Sequence, residues 1–256
     1  MKLIHKFKSP NFNERRSNKV NFIIIHYTAL KSITDSINYL CSKKNKVSSH
    51  YLVSKKGEVY NLVLEKYRAW HAGRSYWSDI IDINSYSIGI ELDYYPEKED
   101  TKYSKELISS LIILLKKLIK KYAITPNNIL AHSDISPYRK IDPGKNFPWQ
   151  LLENKNISFK ITRLKTKNNK LIKKWFIKKN FNSKKRKVLF MLSYLGYDVS
   201  LALINQSNFK QLILNYGNHF QYYKNINLNK KNILQVIELH FVKILLTKFK
   251  KQLNVV

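Results

Sequence analysis

Two histidines and one aspartate stand where a folded chain can gather them around a metal ion. His26 closes the apolar run Phe22, Ile23, Ile24 and Ile25, which reads as a buried strand delivering one imidazole at its tip. His132 closes a shorter run, Ile129, Leu130 and Ala131, in the same manner. Asp142 follows ten positions later, with Lys140 two residues before it. Two imidazoles and one carboxylate, with the fourth position left to water, make the ligand set of a catalytic zinc rather than a structural one. Such a set implies metal-assisted hydrolysis, which also needs a base. Glu91 is the candidate base, because a carboxylate in the apolar strand from Ser87 is costly unless it is functional or paired. Lys140 is the candidate for positive charge against a tetrahedral oxyanion. Each residue alone has an ordinary reading: a satisfied strand-end histidine, a glutamate paired to a lysine, one lysine among many, a turn at Asp142-Pro143-Gly144. Only the joint pattern separates the two readings.

The elements that would position these groups alternate between strand and helix over roughly the first 155 residues. After the strand ending at His26, a helix capped by Ser32 runs to about Leu40. A hairpin is expected from residues 49–54 and 58–63 around the turn Lys55-Lys56-Gly57, followed by a strand over residues 87–92. A long helix is expected over residues 104–122, with Leu107, Leu111, Leu114, Leu118 and Tyr122 on one face. Thr125-Pro126 breaks it ahead of the strand that reaches His132. His26, Glu91 and His132 would then sit on three separate strands, as α/β domains build their sites.

Residues 157–170 turn basic and lose periodicity, which reads as a linker. The chain therefore divides into residues 1–156, an α/β domain, and residues 171–256, a small all-α domain of three helices over 184–195, 209–216 and 230–249. No internal repeat is visible. The formal charge of +30, from 47 basic and 17 acidic residues, fits a polyanionic partner such as nucleic acid, an anionic membrane or a cell-wall polymer. Against that, the lysines are scattered through both halves and no nucleic-acid readout motif is present, so biased composition accounts for the charge and no specific nucleic acid is expected. Cys41 is the single cysteine, which rules out an intramolecular disulfide and reads as a small buried residue of the first helix. No stretch approaches the ~20 apolar residues of a membrane span, and the basic N-terminus lacks the apolar core of a signal peptide.

Taken together, several blocks resemble the zinc-dependent N-acetylmuramoyl-L-alanine amidases, the family shared with phage T7 lysozyme and the animal peptidoglycan recognition proteins. They are Ser9-Pro10-Asn11-Phe12, His26-Tyr27-Thr28-Ala29, residues 47–52, Ala69-Trp70-His71-Ala72-Gly73, residues 84–91, His132-Ser133-Asp134-Ile135 and residues 139–144. The chain is most similar to the bacterial muropeptide amidases, whose zinc ligands are two His and one Asp; phage and animal members usually carry Cys in place of Asp142. The resemblance implies a central mixed β-sheet flanked by helices, with a zinc groove. It implies zinc at His26, His132 and Asp142, Glu91 as general base and Lys140 as transition-state stabiliser. His71 and Asn84 would line the groove. Arg74 and Trp77 would contact substrate, the first as a cation for carboxylates and the second as a stacking face for sugar. Their competing readings are a surface cation and a packed ring. His50 would sit under the site as a structural residue. Ala131 and Ser49 stand where relatives usually have Gly and Ala, away from the chemistry.

The activity so implied is cleavage of the amide bond between N-acetylmuramic acid and L-alanine in peptidoglycan or muropeptides, as in bacterial cell-wall degradation and recycling. The alternative is a module that recognises peptidoglycan without cutting it, against which the intact set of five residues speaks. The C-terminal part resembles, on weaker traces around residues 188–199, Phe209, Phe220, Gln221 and Asn229, the three-helix peptidoglycan-binding domains of such amidases. It lacks their usual Gly-Asp turn, and a helical cap packed on the first domain is the competing reading. Lack of an export signal favours a cytoplasmic location; a wall-binding domain favours the periplasm.

Overall fold

The computed structural model describes residues 2–97, 101–161, 181, 183–220 and 230–253. Its centre is a six-stranded mixed sheet in the order β1 (Lys2–Ile4), β5 (Glu58–Asn61), β4 (Tyr51–Val53), β7 (Ser87–Leu92), β3 (Phe22–Tyr27) and β8 (Ile129–Ala131). The β4–β5 hairpin is antiparallel, and the remaining neighbours in this sheet pair in parallel. A two-stranded antiparallel sheet joins β2 (Phe12–Glu14) to β6 (Tyr67–Ala69). Strands β1, β2 and β6 are three residues each, too short for a period of two to show in sequence. The expected strands at His26, residues 49–63 and residues 87–92 are all present.

Alternation along the central strands gives the sheet two buried faces. Ile23 and Ile25 of β3, with Ile88, Ile90 and Leu92 of β7, pack against Leu107, Leu111, Leu114 and Leu118 of helix α3 (Lys105–Tyr122). Ser104 caps that helix by accepting from Leu107 N, and Lys120 and Lys121 complement its C-terminal dipole. On the opposite face lie Phe22, Ile24 and Leu130. Helix α1 (Ile33–Cys41), capped by Ser32, packs Ile37 and Leu40 on Leu52, Tyr60 and Leu62, with Cys41 partly buried beside them. Three short helices follow the strands: α2 (Ile83–Tyr86), α4 (His132–Ile135) and α5 (Trp149–Asn154).

The C-terminal region supplies α6 (Lys184–Leu195), α7 (Ser200–Ile204), α8 (Gln206–His219) and α9 (Lys230–Leu253). The extra short helix α7 is preceded by a turn in which Asp198 Oδ1 accepts from Ser200 N, and it ends at Asn205, whose Oδ1 caps α8 by accepting from Ser207 N and Asn208 N. Val188, Leu192, Tyr197, Leu212 and Tyr216 share one hydrophobic cluster with Phe22, Ile24 and Leu130 of the sheet. Of the expected linker, Ile157 and Ile161 are buried, in the two opposite clusters; residues 162–170, and Gln221 and Asn229, lie outside the described residues. No helix among the described residues is long and apolar enough to cross a membrane.

Candidate active site

The parallel register sets His26 beside Glu91, and Ile25 beside Ala131, so His132 follows at the level of His26. Alternation then puts His26 and Glu91 on the face opposite α3, with Ser87 and Gly89 behind Glu91 on β7. Asp142 reaches the same point from the loop after α4, where Ser133 N donates to its carbonyl at 3.0 Å. Its Oδ2 lies 2.9 Å from His132 Nδ1 and 3.3 Å from His26 Nδ1. One ligand atom from each of the three residues lies within 4.8 Å of the others. Their exposures are 1% for His26, 4% for His132 and 6% for Asp142, so bulk water does not compete for these atoms.

The tautomers follow from the outer hydrogen bonds. Ser87 Oγ donates to Ile83 O at 2.7 Å, so it can only accept from His71 Nε2, 3.1 Å away. His71 Nδ1 is therefore bare and accepts from His26 Nε2 at 3.0 Å. That leaves a lone pair on His26 Nδ1, facing Asp142. His132 Nε2 donates to Ala72 O at 3.2 Å, which frees its Nδ1 in the same direction. Burial, then the neighbouring His132, pushes His26 down to about 4, and burial with the His26 and His50 rings pushes His71 well below 6.5. Burial works to raise Asp142, but the adjacent His132 and His26 overcome it and hold the carboxyl well below the usual range. Three acceptor atoms thus face one another, and one proton can bridge only one of the pairs. Two imidazoles and a carboxylate, each oriented from behind, fit a divalent cation.

Glu91 is partly buried and its Oε2 has no hydrogen-bond partner. Burial, reinforced by the charge of Asp142 and opposed by Lys140, pushes its carboxyl up to about 8. Lys140 stands on the ligand loop, close enough for its charge to act on both Glu91 and His26. The buried carboxyl of Glu91 and the lysine of the ligand loop thus lie within electrostatic reach of the His26, His132 and Asp142 cluster.

The remaining expectations divide. His50 is fully buried outside the ligand set, with Nδ1 accepting from Gly89 N at 3.0 Å and Nε2 donating to Tyr67 O at 3.0 Å. His71 does not line an open groove: both of its ring nitrogens are engaged, one of them in orienting His26. Asn84 does not line one either, since its buried Oδ1 accepts from His71 N at 3.1 Å and Ala72 N at 2.8 Å and so fixes the loop that carries them. Trp77 is 6% exposed, and its ring packs edge-on against Tyr197, centroids 4.8 Å apart. In this structure the ring is part of the core. Arg74 is exposed near the site, its carbonyl held by Ser136 Oγ and Arg139 Nη2. Sequence reasoning missed Ser87 and Gly89, although Ser87, Gly89 and Glu91 fall at a period of two on one strand face, small residues leading to an acid.

Residues 16–145 match the family model described as N-acetylmuramoyl-L-alanine amidase. The N-acetylmuramoyl-L-alanine amidase AmiD of Escherichia coli (strain K12) is 40% identical over 152 residues, which cover 54% of this chain and 54% of that protein. The 1,6-anhydro-N-acetylmuramyl-L-alanine amidase AmpD of Haemophilus influenzae is 31% identical over 163 residues, covering 57% of this chain and 88% of that one. In sequence, the chain spans about half the length of AmiD. In three dimensions, AmiD from E. coli, in complex with the substrate anhydro-N-acetylmuramic acid-L-Ala-D-gamma-Glu-L-Lys, superposes with a TM-score of 0.68 at 27% identity. That likeness covers 93% of this chain and 98% of the other, so it takes in the C-terminal helices. Since the matched residues 16–145 hold half of the sequence and all of the converging side chains, this chain belongs to the N-acetylmuramoyl-L-alanine amidase family.

Proposed function

We propose that this chain is a zinc-dependent amidase that hydrolyses the bond between the lactyl group of N-acetylmuramic acid and the L-alanine of a stem peptide, in peptidoglycan or muropeptides. The observation that carries the reading is the buried convergence of His26 Nδ1, His132 Nδ1 and Asp142 Oδ2 beside a glutamate with a free oxygen. Those three residues would hold the ion, leaving the rest of its coordination open, as catalytic sites require. Zinc, when bound there, polarises the scissile carbonyl and lowers the pKa of a water towards ~7. Glu91 takes the proton from the attacking water on its unpartnered Oε2 and returns it to the departing amine nitrogen. Burial suits it to both steps, because a carboxyl raised towards neutrality is neither too weak a base nor too weak an acid. Lys140 sets positive charge against the oxyanion that develops as the carbonyl is attacked. His71 and Ala72 O keep the two imidazoles in the tautomers that ligation needs.

The test uses anhydro-N-acetylmuramic acid-L-Ala-D-gamma-Glu-L-Lys, the ligand seen with AmiD, and a polymeric murein. Each is incubated with the purified protein, with and without chelator, and released peptide is followed by mass spectrometry. Release that stops with chelator and returns with zinc is expected. A zinc-loaded sample that frees no peptide from either substrate would overturn the proposal.

A further inference from the structure

The loop that carries Lys140 and Asp142 leaves backbone carbonyls that must find partners. Two of them, Pro137 O and Lys140 O, accept from one side-chain nitrogen, Asn215 Nδ2, at 2.7 and 2.9 Å. Asn215 is fully buried and comes from α8 in the C-terminal region. Its Oδ1 accepts from Gln211 Nε2 at 3.3 Å, one turn earlier, which settles which end of the amide faces the loop. The same helix makes a second buried attachment. His219 Nδ1 lies 2.6 Å from Asp134 Oδ2, which also accepts from Ala131 N at 2.7 Å, while Tyr197 OH donates to Asp134 Oδ1 at 2.7 Å. A third lies between them: Tyr138 OH donates to Asp198 O at 2.7 Å. The segment from His132 to Asp142 is thus gripped at Asp134, at Pro137–Tyr138 and at Lys140, each time by α8 or by the turn between α6 and α7.

We infer that Asn215 is a positioning residue for the metal centre, and that the C-terminal helices are a working part of that centre. The inference rests on the reading of Asp142 as a metal ligand. Asn215 touches neither the ion nor the substrate. It fixes the backbone two residues before Asp142, at the residue that also carries the Lys140 side chain. An amide is suited to this task because its two N–H groups can serve two carbonyls from a single atom, which neither a hydroxyl nor a carboxylate can do. Without it, both carbonyls lose their donor, the one at Pro137 in a buried position, until the loop shifts to find water, and the shift carries Asp142 away from His26 and His132.

The experiment compares the full chain with Asn215→Leu, which roughly keeps volume and removes the donors. Zinc affinity is measured by competition with a chromophoric chelator, and the cobalt(II)-substituted protein is examined by visible absorption. Hydrogen exchange at the amides of Arg139 and Lys140 is followed in metal-free protein. The expected result is a zinc affinity lower by roughly 10–100-fold, as for loss of other outer supports, with altered cobalt bands and faster exchange at those two amides. If Asn215→Leu does not fold, Gln211→Ala, which only unpins the amide, is expected to move all three readouts the same way by less. Unchanged affinity, spectrum and exchange in a folded variant would overturn the inference. A parent chain that binds no zinc would instead sink the metal reading and with it the role of Asn215 at a metal centre.

Discussion

Gly89 lies directly beneath the His71 ring: a Cβ added there would sit 2.3 Å from His71 Cγ, well inside contact distance. The absence of a side chain at this point of β7 is what lets His71 lie across the strand and reach both Ser87 and His26. Gly89→Ala should therefore expel the ring and strand His26 Nε2 without its acceptor. The expected result is a folded protein whose zinc affinity drops by roughly 10–100-fold, read by chelator competition. An alanine variant with parental zinc affinity would show that His71 does not orient His26.

Glu91→Gln should retain zinc and lose turnover by roughly 10²–10⁴-fold, the usual contribution of a general base. Steady-state peptide release, with zinc content checked on the same sample, measures both. Full activity in the amide variant would remove Glu91 from the chemistry.

The same substitution has a stability consequence with a definite sign. In the metal-free protein burial raises the Glu91 carboxyl to about 8, above its ordinary 4.5, so folding takes up a proton between those limits. Stability from this group is complete at low pH and is lost as pH rises through that window, by at most ~1.4 kcal/mol per unit. Metal-free Glu91→Gln should accordingly match the parent near pH 4 and melt above it at pH 8 to 9. Calorimetric scans of chelator-treated samples across that range would expose the opposite trend.

Asp142→Ala removes the only anionic donor of the triplet. Turnover and tight zinc binding should both vanish, while affinity for a muramoyl peptide, measured by calorimetry in excess zinc, should largely persist. Loss of peptide binding with zinc retained would contradict the assignment of Asp142.

The parts of this architecture legible in sequence were those built from local pattern. The β3 run ending in His26, the capped α3 helix and the β4–β5 hairpin each announce themselves within one unbroken local stretch of sequence. The candidate ligands could be named because their residue types restrict the chemistry. What stayed hidden depends on contacts made across long sequence separations. Asn84 looked like a groove residue until its Oδ1 was seen to hold the backbone of His71 and Ala72. The bond from Asn215 to Lys140 O joins positions 75 apart, and that from His219 to Asp134 joins positions 85 apart. No periodicity records such pairs, nor the packing of Val188, Leu192 and Tyr216 in one hydrophobic cluster with Phe22 and Ile24 of the sheet.

Trp77 gives the sharpest contrast between the two ways of reading one residue. A tryptophan close in sequence to candidate site residues suggests stacking, yet this ring lies between Tyr197 and the backbone at Gly196, where a Cβ would come within 2.7 Å of Trp77 Cε2. Ser78 N donates to Gly196 O at 2.9 Å beside it, so the ring sits at a seam between the loop after Gly73 and the turn after α6. Truncation should then act on folding, with Trp77→Ala costing about 3–5 kcal/mol by the removal of a buried aromatic. At temperatures where the variant remains folded, KM for a muramoyl peptide should stay close to the parental value. Urea unfolding and steady-state kinetics on the same preparation separate the cases: a raised KM with unchanged stability would return Trp77 to the substrate, and lost stability with unchanged KM places it in the core.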